Sequence, residues 1–505
     1  YAFDVDLDAC SGCKSCVAAC HALNGLEDDE SWRDVGLLHG GSDSQPLLQH
    51  VTTACHHCLD PACMHACPVD AYEKDPVTGI VKHLDDQCFG CQYCTLACPY
   101  DAPKYSVSKG IVRKCDMCSD RLAVGEASAC VQSCPNGAIA IRVVDVDQVI
   151  EESETNLFVP GAPEPGITLP TTTYRTDRVL PRNMIPADYY AVHPKAPHWP
   201  LILMLVLTQM SVGAFLVEQV AGLFAPSTLM ATIRPLHSAS ALVFGVLALA
   251  VSVLHLGRPQ YAFRAVIGLK HSWLSREIVA FSLFATLAVC YASWSWFGSF
   301  IGAGVGTGGA PAPRWLGWTV ALSGLGGIAC SVMVYQYTQR DFWNGWSTGC
   351  KFLLTTTVLG LAAAWLSLMV TAVWTDAAVS GEVDRYGTLL CRSLVVATAL
   401  KLAFEASLFR HLAVRSSTSL KRTAMLMTGA LSHVTVARFG AGILGGLAMP
   451  GLVLLSQSPT SQGHGENLVI VILVAMLFVA CLAGELLERY LFFAAVASPK
   501  MPGGL

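Results

Sequence analysis

Sixteen of the chain's 21 cysteines fall in four sets of four: Cys10, Cys13, Cys16 and Cys20; Cys55, Cys58, Cys63 and Cys67; Cys88, Cys91, Cys94 and Cys98; Cys115, Cys118, Cys130 and Cys134. Pro68, Pro99 and Pro135 follow the last three sets, whereas the first ends Cys20-His21. Three thiolates on one tight loop can cap three irons of a cubane, while the fourth cysteine points away and ligates the other cluster of a pair. Sixteen thiolates thus match four 4Fe-4S clusters, with no position replaced. A structural zinc array, which prefers two separated Cys-x-x-Cys pairs per metal, and a secreted disulfide scaffold are the competing readings. The repeated Cys-x-x-Cys-x-x-Cys-x-x-x-Cys-Pro pattern is the more specific signal. No Cys-x-x-Cys-His occurs, so covalent haem is not indicated. His56, His57 and His65 read as packing or outer hydrogen-bonding residues rather than ligands. Lys14, Arg113 and Lys114 lie beside cysteine loops, where a cation would offset cluster charge.

The elements that must carry these residues divide the chain in two. Of its 505 residues 53% are hydrophobic and 14% charged, against about 25% charge in ordinary soluble domains. Residues 1–197 hold 14 Lys and Arg against 27 Asp and Glu, and residues 198–505 hold 18 against 10. So acidic a first half argues against a nucleic-acid partner. The cysteine repeats imply an α+β, ferredoxin-like four-cluster domain over residues 1–150. Eight prolines between Pro160 and Pro197 suggest an extended surface strap over 151–197. The chain opens on Tyr1 rather than Met, so its start says nothing about a leader.

Residues 198–505 read as an all-α, eight-helix transmembrane bundle, because apolar runs of about 20 residues span a hydrocarbon core. The runs are Trp199 to Phe224, Leu236 to Leu256, Ser275 to Phe297, Trp315 to Thr338, Thr348 to Thr375, Thr388 to His411, His433 to Ser456 and Asn467 to Val496. Loops on the side of the cluster domain hold seven Lys and Arg (Arg258, Arg264, Lys270, Arg340, Arg415, Lys421, Arg422), and the opposite loops hold three (Arg234, Arg314, Arg385). The positive-inside rule then puts the cluster domain on the cytoplasmic side of a multi-pass cytoplasmic (inner) membrane protein.

Ionisable residues within spans are costly and usually functional or paired. His255, Glu277, Glu405, Arg438, Glu485 and Arg489 all fall toward the cluster-domain end, where an electron and proton exchange site belongs. Lys401 and Glu405, four apart, read as a bundle salt bridge. Glu218, Lys401 and Glu405 as an ion path would make the protein a transporter with a redox domain, but the spans lack the paired broken helices of that class. A membrane b-type haem would need His255 and His433 to face each other, a weaker reading.

The cysteine sets resemble the four-cluster iron-sulfur subunit of the dimethyl sulfoxide reductase family. The segments His255-Leu-Gly-Arg-Pro259, Ser272 to Ile278, Ala483-Gly-Glu-Leu486 and His198-Trp199-Pro200 resemble the membrane-anchor subunit of the same family. The resemblance implies a nested pairing: Cys10, Cys13 and Cys16 with Cys134; Cys115, Cys118 and Cys130 with Cys20; Cys55, Cys58 and Cys63 with Cys98; Cys88, Cys91 and Cys94 with Cys67. It also implies that His255 and Glu277 belong to a quinol site for menaquinone or ubiquinone. Oxidising a quinol removes two protons as two electrons leave, and a His beside a carboxylate can take them. Arg258 and Arg276 would orient a quinone oxygen or meet lipid phosphates.

The expectation is a natural fusion of electron-transfer and anchor subunits in a quinone-linked oxidoreductase complex. The chain would hold no substrate site of its own, and the partner subunit would carry a bis-pterin molybdenum cofactor. The Cys88 cluster would lie nearest the membrane. A cytoplasmic face suits sulfite oxidation first, with sulfoxide or nitrate reduction as alternatives.

Overall fold

The computed structural model describes residues 1–502 apart from 157, 182, 304–311, 374–379, 457–463 and 499. Its first part is built of short strands and short helices hung between the cysteine loops. Strands β1 (Ala2–Asp6), β8 (Ile139–Arg142) and β9 (Thr173–Arg175) form one sheet in the order β8-β1-β9, with β8 antiparallel and β9 parallel to β1. The hairpin β2 (Arg33–Ser42) and β3 (Gln45–Ala54) takes β10 (Ile185–Pro186) on its edge. Two smaller hairpins, β4–β5 (Tyr72–Lys74, Val81–His83) and β6–β7 (Lys104–Ser106, Ile111–Arg113), complete the strands.

The third cysteine of each set lies in a helix: Cys16 in α1 (Ser15–Asn24), Cys63 in α2 (Ala62–Ala66), Cys94 in α3 (Tyr93–Ala97) and Cys130 in α5 (Ala129–Gln132), with α4 (Ser119–Ala123) between the halves of the fourth set. A residue before proline is pushed out of the helical region. Cys67 and Cys98 accordingly end α2 and α3 with extended backbone. Cys20 has no proline after it, and α1 runs on to Asn24 before Gly25 stops it at a φ of 56°.

The proline-rich segment departs from the expected surface strap. After α6 (Val146–Glu154), capped by the Asp145 carboxylate, it turns back to supply β9 and β10. Thr168, Thr171 and Thr172 are buried, and Thr171 bonds the His56 carbonyl through both N–H (3.2 Å) and hydroxyl (2.7 Å). Proline fits because these strands are edge additions of two or three residues, where few ladder donors are needed.

The second part contains eight candidate spans. They are carried by α7 (Trp199–Ala221), α8 (Ser227–Ser252), α9 (Trp273–Ala303), α10 (Arg314–Gln336), α11 (Gly345–Ala372), α12 (Ser380–Ala406), the pair α14 (Ser432–Ile443) and α15 (Met449–Ser456), and α16 (His464–Ala494), with α13 (Ser419–Thr428) a short helix before the seventh. The expected end of the fifth run, Thr375, lies outside the described residues. Helices α7 and α11 are the most enclosed. They touch backbone to backbone where Gly213 meets Thr356 and Gly360. A π turn, Leu444–Ala448, joins α14 to α15, with Gly445 against Ala480 and Gly446 against Thr398. The chain then returns to the first part: Met501 packs with Val5, Leu7, Cys58, Cys98 and Tyr100, and Lys500 pairs with Asp188.

Candidate electron-transfer and proton-exchange sites

The residue before the second cysteine has positive φ in every set: Gly12 (73°), His57 (44°), Gly90 (74°) and Met117 (62°). Such left-handed steps turn successive N–H groups inward, a concavity that favours anionic groups. For His57 and Met117 the conformation costs about 1–2 kcal/mol each, so the surrounding packing must enforce it. The later cysteines accept backbone bonds of their own, Ala71 N–H to Cys67 Sγ (3.3 Å) and Ala138 N–H to Cys134 Sγ (3.2 Å).

Three cysteines of one set meet the fourth of another. Cys55, Cys58, Cys63 and Cys98 ring one cavity, Cys20, Cys115, Cys118 and Cys130 a second, and Cys10, Cys13, Cys16 and Cys134 a third. Cys67, Cys88 and Cys94 share one packed cluster, with Cys91 against it. Among the described residues no three His, Cys, Asp or Glu side chains converge closely enough to hold a single ion. Rings of thiols around a void fit a polynuclear group better than a lone zinc. Burial pushes the Cys20 thiol up to about 12 and the Cys67 and Cys98 thiols up to about 11. Only a strongly cationic centre would hold such groups as thiolates.

Around these rings the histidines differ: burial lowers His56 and His57, whereas for His83 burial is outweighed by Asp85 and Cys88, which raise it above its ordinary value. Burial, reinforced by Arg33, drives His56 down to about 3. The cations behave oppositely. Burial opposes the charge of Lys114, yet Cys55, Cys63 and Cys115 raise it above its ordinary value. Lys114 Nζ donates to the carbonyls of Val81 and Cys115 (2.8 Å to the latter) and lies 3.5 Å from Cys55 Sγ. Arg113 instead pairs with Glu30 at 2.9 Å. Arg33, which no sequence motif singles out, is as buried as Lys114. An arginine opening a strand after Trp32 carries no signal that it points inward.

The Cys88 loop is bolted to the membrane half. Arg258 N–H donates to the Phe89 carbonyl (3.0 Å), Gly268 N–H to Pro68 (2.9 Å), and the Ser272 hydroxyl to Ala66 (2.7 Å). Gly90, Gly110 and Gly257 meet so closely that a Cβ on Gly90 would lie 3.0 Å from Gly257 N, and one on Gly257 would overlap the Gly110 carbonyl. Tyr93 reaches the Val334 carbonyl at 2.9 Å, and Arg340 reaches Leu96 at 3.1 Å.

His255 closes the second span in a short 3-10 turn, half-buried, its Nδ1 facing the Ser252 carbonyl. Glu277, buried in the second turn of α9, accepts from the Ser331 hydroxyl on α10, a partner that no sequence pattern announces. Both sit at the cluster-domain end, and their side chains bond different partners. The Arg258 guanidinium donates to the Asp85 carbonyl (2.9 Å), and that of Arg276 to the Leu269 (3.1 Å) and Lys270 (2.6 Å) carbonyls. Arg276 thus braces the connecting turn, and Arg258 ties it to the cluster domain.

Lys401 belongs to a larger network. Its nearer carboxylate is Glu485 (2.7 Å), with Glu405 at 3.8 Å. Arg438 bridges Glu405 (2.8 Å) and Glu485 (3.1 Å), and Arg489 reaches Glu488 (3.4 Å) and Gln209 (3.0 Å). Glu218 is held elsewhere, by Arg234 (3.1 Å) and the Tyr291 hydroxyl, beside an apolar cavity of about 720 Å³ among α7, α8, α11 and α12. Neither His255 nor Glu277 lines that cavity.

Residues 47–144 match the model of the 4Fe-4S dicluster domain, and residues 193–495 that of the DMSO reductase anchor subunit (DmsC). Among curated proteins, the sequence is 38% identical over 153 residues to the B subunit of the anaerobic dimethyl sulfoxide reductase of Escherichia coli (strain K12), covering 29% of this protein and 74% of that one. It is 32% identical over 187 residues to the corresponding B subunit of Haemophilus influenzae, covering 35% and 90%. The formate dehydrogenase-O iron-sulfur subunit of Escherichia coli (strain K12) is 34% identical over 152 residues, covering 27% and 50%.

Proposed function

Because this chain belongs to the dimethyl sulfoxide reductase anchor-subunit family and carries the 4Fe-4S electron-transfer domain of such complexes fused ahead of the anchor, we propose that it passes electrons between membrane quinone and a separate molybdenum-bearing catalytic subunit. The four cysteine rings hold four 4Fe-4S clusters, which supply one-electron steps when bound. The observation that carries the reading is the Arg258 to Phe89 backbone bond. It fixes the turn beside His255 against the loop of Cys88 and Cys91, so proton-exchanging groups and an electron-accepting ring share one junction.

At that junction Glu277 takes or returns a quinol proton and His255 the other, while Arg258 and Arg276 hold the turn in shape. Two electrons leave the quinol as its two protons are removed, and one-electron carriers must receive them singly.

Loop charge puts the cluster domain in the cytoplasm, and a catalytic partner there suits sulfite oxidation with quinone as acceptor. The dimethyl sulfoxide reductase relatives support a second reading, quinol oxidation feeding reduction of an S-oxide. Electron paramagnetic resonance of the purified complex tests both. Poising with menaquinol, with and without a quinone-site inhibitor, should give cluster signals that respond to the inhibitor. Signals that ignore quinol refute the junction. Reduction of the clusters by sulfite supports the first direction, and reoxidation by dimethyl sulfoxide supports the second.

A further inference from the structure

Two cations are buried in the cluster domain without a carboxylate to pair with. Among the described residues, Arg33 and Lys114 are the only buried Lys or Arg of the first 197. Arg33 lines the ring of Cys20, Cys115, Cys118 and Cys130. Its Nη1 donates to Thr52 Oγ1 (3.1 Å), and its Nε and Nη2 have no partner. Thr52 lines the ring of Cys10, with its hydroxyl 3.6 Å from Cys16 Sγ. The guanidinium therefore stands between two rings, its one face covered by Phe3 at 4.5 Å. Lys114 lines the ring of Cys55, Cys58, Cys63 and Cys98. Beside the ring of Cys67, Cys88, Cys91 and Cys94 stands a different group, the buried imidazole of His83, whose Nδ1 lies 2.8 Å from the Asp85 carboxylate and is thus already paired with an anion.

A buried charge without a counter-ion is strongly unfavourable. Here the missing counter-charge has an identity that follows from the cluster reading above, on which this inference rests. A cubane held by four thiolates is net negative and becomes more so on reduction. A fixed cation beside it therefore favours the reduced form, and the attraction weakens with distance. We propose that Arg33 and Lys114, buried cations with no carboxylate partner, are positioning charges that raise the reduction potentials of the clusters in the rings they stand beside, whereas the group beside the Cys88 ring, His83, is offset by Asp85. Arg33 acts on two clusters at once.

Redox titration of the complex, read by electron paramagnetic resonance with iron analysis, tests this. The Cys88 signal is identified by its change in Cys91→Ser. Lys114→Met should lower one midpoint so that, at a fixed applied potential, the reduced-to-oxidised ratio falls about tenfold, equivalent to about 59 mV for one electron. Arg33→Met should lower two midpoints. Lys114→Arg and Arg33→Lys should restore them, and the Cys88 signal should stay in place throughout. Midpoints that shift equally in the charge-keeping and charge-removing variants, or four signals that move together, overturn the proposal. Should Arg33→Met lose iron, the Lys114 pair carries the same comparison. A wild-type complex lacking four cluster signals refutes the cluster reading itself, whereas four signals with unmoved midpoints refute only the role of the cations.

Discussion

His255 and Glu277 are poised at one end of the bundle by different means, one by a tight turn and one by burial against Ser331. His255→Ala or Glu277→Gln should slow quinol-dependent cluster reduction by about 10²- to 10⁴-fold, the usual worth of positioned acid-base groups. Iron content and reduction by dithionite should be unchanged, and rapid-mixing spectroscopy would compare the rates. Gly257 is a second point of failure, because a Cβ there overlaps the Gly110 carbonyl. Gly257→Ala should cost about 1–3 kcal/mol, typical of overpacking, and slow electron entry with little change in iron. The sixteen cysteines were legible because a cubane dictates their spacing. Arg33 and Ser331 were not, because their roles depend on what lies across from them and no local pattern records it.

At the level of elements, hydropathy located six of the eight spans within a few residues, since the bilayer imposes length and polarity on each helix separately. But α8 begins at Ser227 rather than Leu236 and α12 at Ser380 rather than Thr388, because their polar first turns lack the apolar signal. Hydropathy also missed what depends on neighbours. The 3-10 turn Pro259–Lys270, the π turn Leu444–Ala448 and the return of the proline-rich segment as β9 and β10 all answer to packing partners distant in sequence. The ion network illustrates the same dependence: Lys401 and Glu405 looked like a simple pair four residues apart, yet Lys401 is closer to Glu485 on α16. Removing one partner from such a network leaves an uncompensated charge at a cost of about 3–5 kcal/mol. Glu485→Gln should lose that stability in the detergent-solubilised complex. Lys401→Met combined with Glu485→Gln should regain part of it, as judged by thermal unfolding of each variant.

On the scale of the whole molecule, the two halves of the chain meet through the loops between spans two and three, four and five, and six and seven, besides the tail. The same loops hold Arg258, Arg264, Lys270 and Arg340, so much of the positive charge of the bundle's loops lies against the cluster domain. A reporter active only in the cytoplasm, inserted in the loop after the sixth span, should be active, and one after the fifth should be silent. On the proposed arrangement, with quinone chemistry and catalysis on one face, turnover in closed vesicles should generate no uncoupler-sensitive membrane potential, as a voltage-sensitive dye would report.

Met501 lies in the same apolar cluster as Val5 and Leu7, beyond the eighth span. A ribosome releases the cysteine loops hundreds of residues before that methionine exists. The other buried members of that cluster are made before the spans, and Met501 joins them only after the eighth. The tail thus ties the end of membrane insertion to the packing of the domain that carries the electrons: until the eighth span is in place, this apolar cluster lacks one of its members.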